Sequence, residues 1–256
     1  MNIEKRIYRR IGQAIGDFKL IEEGDHIAVG LSGGKDSWIL LYALNELSKR
    51  APVNYSVEAV HIKSSIYNLK LEEIENYCQK LGIKLHIYES DIDTIIAENI
   101  KKESYCAFCA RMRRGYLYRF ANENGFNKIA LGHHREDFNE TLLMSMFFNG
   151  QIKSMAVKLL SDDKKNIVIR PMVYLEEKTI QKFADNLQLP SMQKTCPYEQ
   201  QSERKEIKEL LNQLEKKYPE IKSSLISSQK RIIKSHLIGF NIIHERVNVL
   251  PSKINK

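Results

Sequence analysis

The chain has 256 residues, of which 43% are hydrophobic and 28% charged, with a net charge of +8 and a pI near 9.1. That length buries a sizeable core, either one large α/β domain or one domain with an appendage. No apolar run reaches the roughly 18–20 residues that cross a bilayer, and the first residues lack the apolar stretch of a signal peptide. A cytoplasmic protein without a membrane partner is expected, in which four cysteines are free thiols or ligands rather than disulfides. The positive balance suits a polyanionic partner without requiring one.

Ile3, Ile7, Ile11, Ile15 and Phe18 recur every three or four residues, which predicts an amphipathic first helix with a basic outer face. Strands are predicted over 26–31, 55–62, 84–89, 128–131 and 167–170. Helices are predicted over 37–49, 71–81, 106–124, 137–148 and 178–187. Apolar strands alternating with helices imply a parallel sheet covered on both faces. Right-handed connections then favour a doubly wound α/β fold with a mainly parallel, five-stranded sheet. After Pro190 strand signals largely stop, and 199–236 read as charged helices broken at Tyr218-Pro219; no clear pattern stands out over 237–256. The expected organisation is an N-terminal helix (1–22), a nucleotide-binding domain (23–190) and a C-terminal helical extension (191–256).

Between the first strand and the second helix runs Ser32-Gly33-Gly34-Lys35-Asp36-Ser37. Two glycines bring backbone N–H groups to an anion, Lys35 adds a full charge, the helix adds its positive end, and the serines offer hydroxyls. The usual P-loop spacing fails, because Val29 stands where it needs glycine and Asp36 where it needs Ser or Thr. The bland alternative is a glycine turn capped by Asp36 or Ser37.

Cys106-Ala-Phe-Cys109 opens a predicted helix, with both thiols on one face at i, i+3, and Cys196 follows the last strand. A redox pair, a structural zinc, an iron–sulfur cluster on three thiolates and three unrelated thiols all remain open. Cys78 shares a helical face with Ile74 and Leu81 and is expected in the core.

The loop SGGKDS after a strand resembles that of the PP-loop ATP pyrophosphatase superfamily. With the cysteines, the chain resembles the tRNA 2-thiocytidine synthetases from about residue 5 to 237. The matching stretches are Ile21-Glu-Glu-Gly-Asp-His, SGGKDS, Cys106-x-x-Cys109-Ala-Arg-Met-Arg-Arg-Gly, Ala130-Leu-Gly-His-His-Arg-Glu-Asp, Ile169-Arg-Pro, Lys217-Tyr-Pro and Ser235-His-Leu. The resemblance implies that ATP is cleaved between its α- and β-phosphates and that O2 of cytidine 32 in a tRNA anticodon loop is adenylated. Sulfur carried on the open iron of a [4Fe–4S] cluster, held by Cys106, Cys109 and Cys196, then replaces the oxygen. Those three cysteines and Asp36 are the expected catalytic residues. Family members often carry a further cysteine shortly before the third ligand, where this chain has Ser191-Met-Gln-Lys-Thr; the ligand set survives that loss.

ATP and Mg²⁺ are the other expected cofactors. Ser32, Gly33, Gly34, Lys35, Ser37 and Arg170 are candidates for the phosphates. Asp36 is the first candidate for Mg²⁺ or loop orientation and Asp137 the second, with helix capping as the alternative for both. His133 or His134 is placed beside the nucleotide or substrate, and the main chain over His61–Lys63 at the adenine edge. Lys101, Lys102, Arg111, Arg113, Arg114 and Arg119, interleaved with Tyr105, Phe108, Tyr116 and Tyr118, form a candidate RNA-contacting segment. Lys216, Lys217, Lys222, Lys230, Arg231 and Lys234 form a second basic run. Expected partners are tRNA, a sulfur donor such as a cysteine desulfurase or free sulfide, and a second copy in a homodimer. The rival readings are a uridine thiolase of the same superfamily and an ATP-binding module without turnover.

Overall fold

The computed structural model describes residues 2–64, 67–69, 71–92, 94–95, 105–161, 164–187, 189–190, 192–194, 203–238, 240–243 and 246–249; over 67–69, 105–107, 192–194, 240–243 and 246–249 it describes the backbone alone. It divides into two compact units, 1–210 and 211–256.

The first unit is built on strands β1 (Asp25–Leu31), β2 (Tyr55–Ile62), β4 (Leu85–Tyr88), β5 (Lys128–Ala130), β6 (Lys158–Leu160) and β7 (Ile167–Ile169). They lie in the order β4-β2-β1-β5-β7-β6. The first five in that order are parallel, as the five apolar runs predict, and β6 adds an antiparallel edge strand on β7. The expectation of five strands is thus corrected to six. β6 exposes Leu159 and Leu160, so it lacks the buried positions that mark the equally short β5 and β7. Central β1 carries Ile27, Ala28 and Val29 at 0% exposure, as a strand covered on both faces requires.

Helices α1 (Ile3–Phe18), α2 (Lys35–Ser48) and α6 (Glu177–Ala184) pack together. Ile7, Ile11 and Ala14 are the buried stripe of α1, and Tyr77 of α3 (Leu71–Leu81) meets Trp38 of α2 edge-on at 5.2 Å. On a second apolar cluster, Leu117, Phe120 and Ala121 of α4 (Tyr105–Glu123) pack with Val60, Ile62, Ile129 and Val168. Cys78 is buried, and burial pushes its thiol up to about 11, an inert core residue. α5 (Arg135–Asn149) follows β5.

Two corrections concern the region after Pro190. β8 (Met192–Lys194) pairs antiparallel with β3 (Tyr67–Leu69), and in the second unit β9 (Phe240–Ile243) pairs with β10 (Arg246–Val249). Between them lie α7 (Glu203–Lys217) and α8 (Ile221–Ser228). Within the second unit Lys222 is buried and donates to Asn212 at 2.7 Å and Glu215 at 2.9 Å. It belongs to an internal ion pair and not to an exposed basic face.

The topology sets the site. From β1 the chain winds outward through β2 to β4, then returns to place β5 on the other flank of β1. The strand order reverses between β1 and β5, and the crevice beyond their carboxyl ends is where open α/β sheets bind ligands.

Candidate active site

The loop 32–37 lies in that crevice. Gly33 has φ +92°, in the left-handed region that disfavours a side chain. Helix α2 begins at Lys35, two residues earlier than its apolar pattern predicts, with Gly34 as an N-cap that supplies no side-chain acceptor. Its first N–H groups therefore face the crevice without a side-chain cap, a ready anion site. Ser37 Oγ donates to Gly34 O at 2.8 Å and accepts from the Ser32 N–H at 3.3 Å, which holds the loop closed on itself. Gly33, Gly34, Lys35, Asp36, Trp38, Leu189 and Pro190 line a cavity of about 470 Å³, within the range of small-ligand sites.

Asp36 is not a helix cap. It sits in the first turn of α2, its Oδ1 buried without a hydrogen bond. Burial raises its carboxyl, against the lowering effect of His134 and Lys35, while Asp137 and Glu177 add to the rise. A carboxylate left short of donors beside a phosphate loop is suited to receive a cation.

The opposite wall comes from the end of β5. A Cβ on Gly132 would lie 3.0 Å from the backbone of Asp36 and Ser37, so only glycine lets the two loops meet this closely. Arg170 donates through Nε to His133 Nδ1 at 3.2 Å and through a terminal nitrogen to Ala156 O at 2.6 Å. Burial, reinforced by the Arg170 charge, pushes His133 down to about 4. Since Nδ1 accepts, the neutral ring carries its proton on Nε2 and presents a donor. His134 behaves oppositely. Burial would lower it, but its contact with Glu136 (3.2 Å) and the charges of Asp137 and Asp36 raise it. Asp137 accepts the His134 N–H at 2.8 Å from the third position of α5, half of a capping box in which His134 is the N-cap.

Several residues here carry no motif in the sequence. Glu177, at the start of α6, meets Lys35 at 3.7 Å and Lys208 at 2.8 Å. Glu140 is buried, and burial pushes it up to about 7 although Arg204 opposes the rise. Arg204 reaches Asp137 (3.2 Å), Glu140 (3.3 Å) and Thr141 Oγ1 (3.2 Å). A charged residue on an amphipathic helix reads as solvated surface until packing buries it; the i, i+4 spacing of Arg204 and Lys208 was the only signal.

His61, the penultimate residue of β2, lies opposite Leu31. Its ring is buried, Nδ1 donates to Leu31 O at 3.0 Å, and burial lowers it. Lys63 pairs with Glu89 at 2.7 Å; its N–H donates to Tyr88 O and its C=O accepts from Ser90.

The cysteine helix approaches the same edge. Cys109 is buried with Val60, Ile62 and Ile92, and the Arg113 charge acts on His61. Arg111, Arg114 and Arg119 are exposed on α4, whereas Phe120 is core and Tyr116 donates to Asp91. The side chain of Cys106 and all of Cys196, Lys101 and Lys102 lie outside the described residues. Among the described residues no group of three His, Cys, Asp or Glu is arranged to hold a metal ion, and no helix is long and apolar enough to cross a membrane.

A doubly wound sheet with an uncapped glycine loop at its switch point defines an adenine-nucleotide-type α/β protein, and the PP-loop domain family matches residues 3–215. A tRNA-cytidine(32) 2-sulfurtransferase of Syntrophotalea carbinolica is 44% identical over 247 residues, covering 94% of this chain and 95% of that one. One from Escherichia coli is 41% identical over 242 residues, covering 94% and 78%. Among solved structures, the U34-tRNA thiolase NcsA of Methanococcus maripaludis with its [4Fe–4S] cluster superposes with a TM-score of 0.74 at 27% identity, covering 93% of this chain and 80% of that one. The chain belongs to the PP-loop family of tRNA-cytidine(32) 2-sulfurtransferases.

Proposed function

We propose that the chain thiolates cytidine 32 of tRNA at C2, using ATP to activate the carbonyl oxygen. The observation that carries this reading is that Cys109 belongs to the apolar cluster of Val60 and Ile62 near the end of β2, the neighbour of the strand β1 that the loop 32–37 follows. A phosphate loop alone does not name an acceptor, and a thiol helix beside it turns the chemistry toward sulfur.

In the first step, O2 of the base attacks the α-phosphorus, the bond to the bridging oxygen of the β-phosphate breaks, and pyrophosphate leaves. The N–H groups of the loop and Lys35 hold the developing charge, and Arg170 and His133 orient the phosphate from the facing wall; Asp36 would hold a Mg²⁺ ion, which when bound would offset further phosphate charge. In the second step a sulfur nucleophile attacks C2, the C–O bond breaks and AMP departs, so a poor leaving group has been made a good one.

The residues fit an iron–sulfur group: Cys109 is a buried thiol in an apolar wall, with Cys106 one turn earlier. With Cys196 they would hold a [4Fe–4S] cluster, which when bound would deliver sulfur beside the activated base. Arg111, Arg114 and Arg119 on the same helix would meet RNA phosphates. Dimerisation and a cysteine desulfurase or free sulfide as donor complete the proposal.

The test is incubation with ATP, sulfide and tRNA under anaerobic conditions, followed by nucleoside mass spectrometry and assay of both phosphate products. Pyrophosphate, AMP and 2-thiocytidine are expected. Inorganic phosphate as the product would rule out adenylation, and 2-thiouridine in place of 2-thiocytidine would move the target to uridine, the chemistry named for the structural relative.

A further inference from the structure

The contacts of Arg204 have no place in the nucleotide reading so far, although they converge on it. Asp137 is held at both oxygens: Oδ2 accepts the His134 N–H at 2.8 Å and Oδ1 accepts from Arg204 at 3.2 Å. The first hold comes from the local turn of α5, while the second is delivered by a helix 67 residues further along the chain. The same guanidinium lies 3.3 Å from Glu140, whose side chain is 6% exposed, and donates to Thr141 Oγ1 at 3.2 Å. One turn on, Lys208 repeats the pattern on Glu177, which in turn meets Lys35 of the loop. The guanidinium divides these contacts between the two terminal nitrogens of one rigid fork, a geometry that a single ammonium nitrogen does not reproduce. Half of the Arg204 side chain stays open to solvent, at 42% exposure, so this is not a core ion pair kept for packing alone.

We propose that Arg204 is a positioning residue of the adenylation site: it fixes the Asp137 carboxylate toward the loop 32–37. The role rests on the adenylation reading above.

The competing role is plain charge compensation, in which Arg204 does no more than neutralise the buried Glu140. Three variants separate the two: R204M, R204K and R204M/E140Q. Each is measured for melting temperature, for ATP affinity and for tRNA-dependent pyrophosphate release. R204M should lower kcat about tenfold or more with KM for ATP within about twofold, as expected when a reacting group is misplaced and ground-state binding is kept. R204K should recover part of the rate. R204M/E140Q should regain the melting temperature, because the uncompensated buried carboxylate is gone, and should not regain kcat.

A double variant that regains the wild-type rate reduces Arg204 to charge compensation and overturns the proposal. So does R204M with unchanged kcat. Absence of pyrophosphate release by the unmodified enzyme overturns the adenylation reading itself, and this role with it; that outcome is read on the wild-type protein and is distinct from the other two.

Discussion

The sheet carries a buried charge network at each edge, and the two are built to opposite standards. At the amino edge, Lys128 meets Asp25 at 2.6 Å and Glu22 at 2.9 Å. Asn127 donates to the other oxygen of Asp25 at 2.8 Å, and the Glu22 N–H adds a further donor. Each buried group there has its partners. At the carboxyl edge Asp36 has an oxygen without a hydrogen bond, Glu140 is pushed up to about 7, and His133 is pushed down to about 4. Burial dominates all three shifts. The contrast shows how one fold separates tasks: charges at one edge are satisfied and hold the strands, while at the other burial shifts the titrating groups and leaves Asp36 Oδ1 without a donor.

The largest effect should come from breaking the satisfied edge. K128M leaves Asp25, with a side chain 5% exposed, as an uncompensated buried charge, which costs about 3–5 kcal/mol. Guanidinium denaturation should show that loss, while pyrophosphate release per folded molecule stays at the wild-type rate. A loss below about 1 kcal/mol would remove the distinction between the two edges.

The amino-acid pattern reveals these two regions unequally. The five parallel strands are legible because each is a short, mainly apolar segment set between helical patterns, and the loop 32–37 is legible because glycines, a lysine and hydroxyls in that order have few other uses. β6 is hidden by its exposure, since β5 and β7 are no longer. β9 and β10 do alternate, with Phe240 and Ile242 answered by Val247 and Val249, but four residues give a weak period. At the site, Gly132 is visible as a glycine while the backbone it must admit is not. Glu140, Glu177 and Arg204 look like solvated helix residues, because a linear pattern cannot express burial produced by helices brought together from distant parts of the chain.

The next effect sharpens the comparison through pH. The Glu140 carboxyl has a folded value of about 7 against an ordinary 4.5. The folded state therefore binds more protons than the unfolded one between those values, so stability falls as pH rises through that window and is level above it. His133 works in the other direction. Its folded value of about 4 lies below 6.5, so stability rises with pH between those limits. The two slopes oppose each other where the windows overlap, and wild-type melting alone will not reveal either. The difference between wild type and E140Q isolates Glu140. E140Q should be more stable by on the order of 2 kcal/mol at pH 8, and the gap should close as pH falls toward 4.5. A gap that is constant with pH would mean that Glu140 stays ionised beside Arg204.

The smallest effect sharpens the comparison through shape. Gly132 and Gly12 are both glycines without a side chain to lose, one facing the loop at the carboxyl edge and the other on α1 at the rim of an apolar cavity beside the amino edge. A methyl group on Gly132 meets the Asp36 carbonyl carbon and the Ser37 nitrogen at 3.0 Å, and the Asp36 oxygen at 3.1 Å. These are backbone atoms at the start of a helix, and they cannot rotate away as a side-chain end would. The loop must shift by a few tenths of an ångström, carrying its N–H groups off the phosphates. G132A should therefore weaken ATP binding by about tenfold, or about 1.4 kcal/mol, with a modest change in melting temperature. A methyl group on Gly12 meets nothing within 4 Å, and alanine is the better helix former by roughly 0.5–1 kcal/mol. G12A should raise the melting temperature and leave ATP affinity as it is. Titration of both variants with a non-hydrolysable ATP analogue decides the matter: equal affinities would show that the close approach of the two loops is packing and not part of the phosphate site.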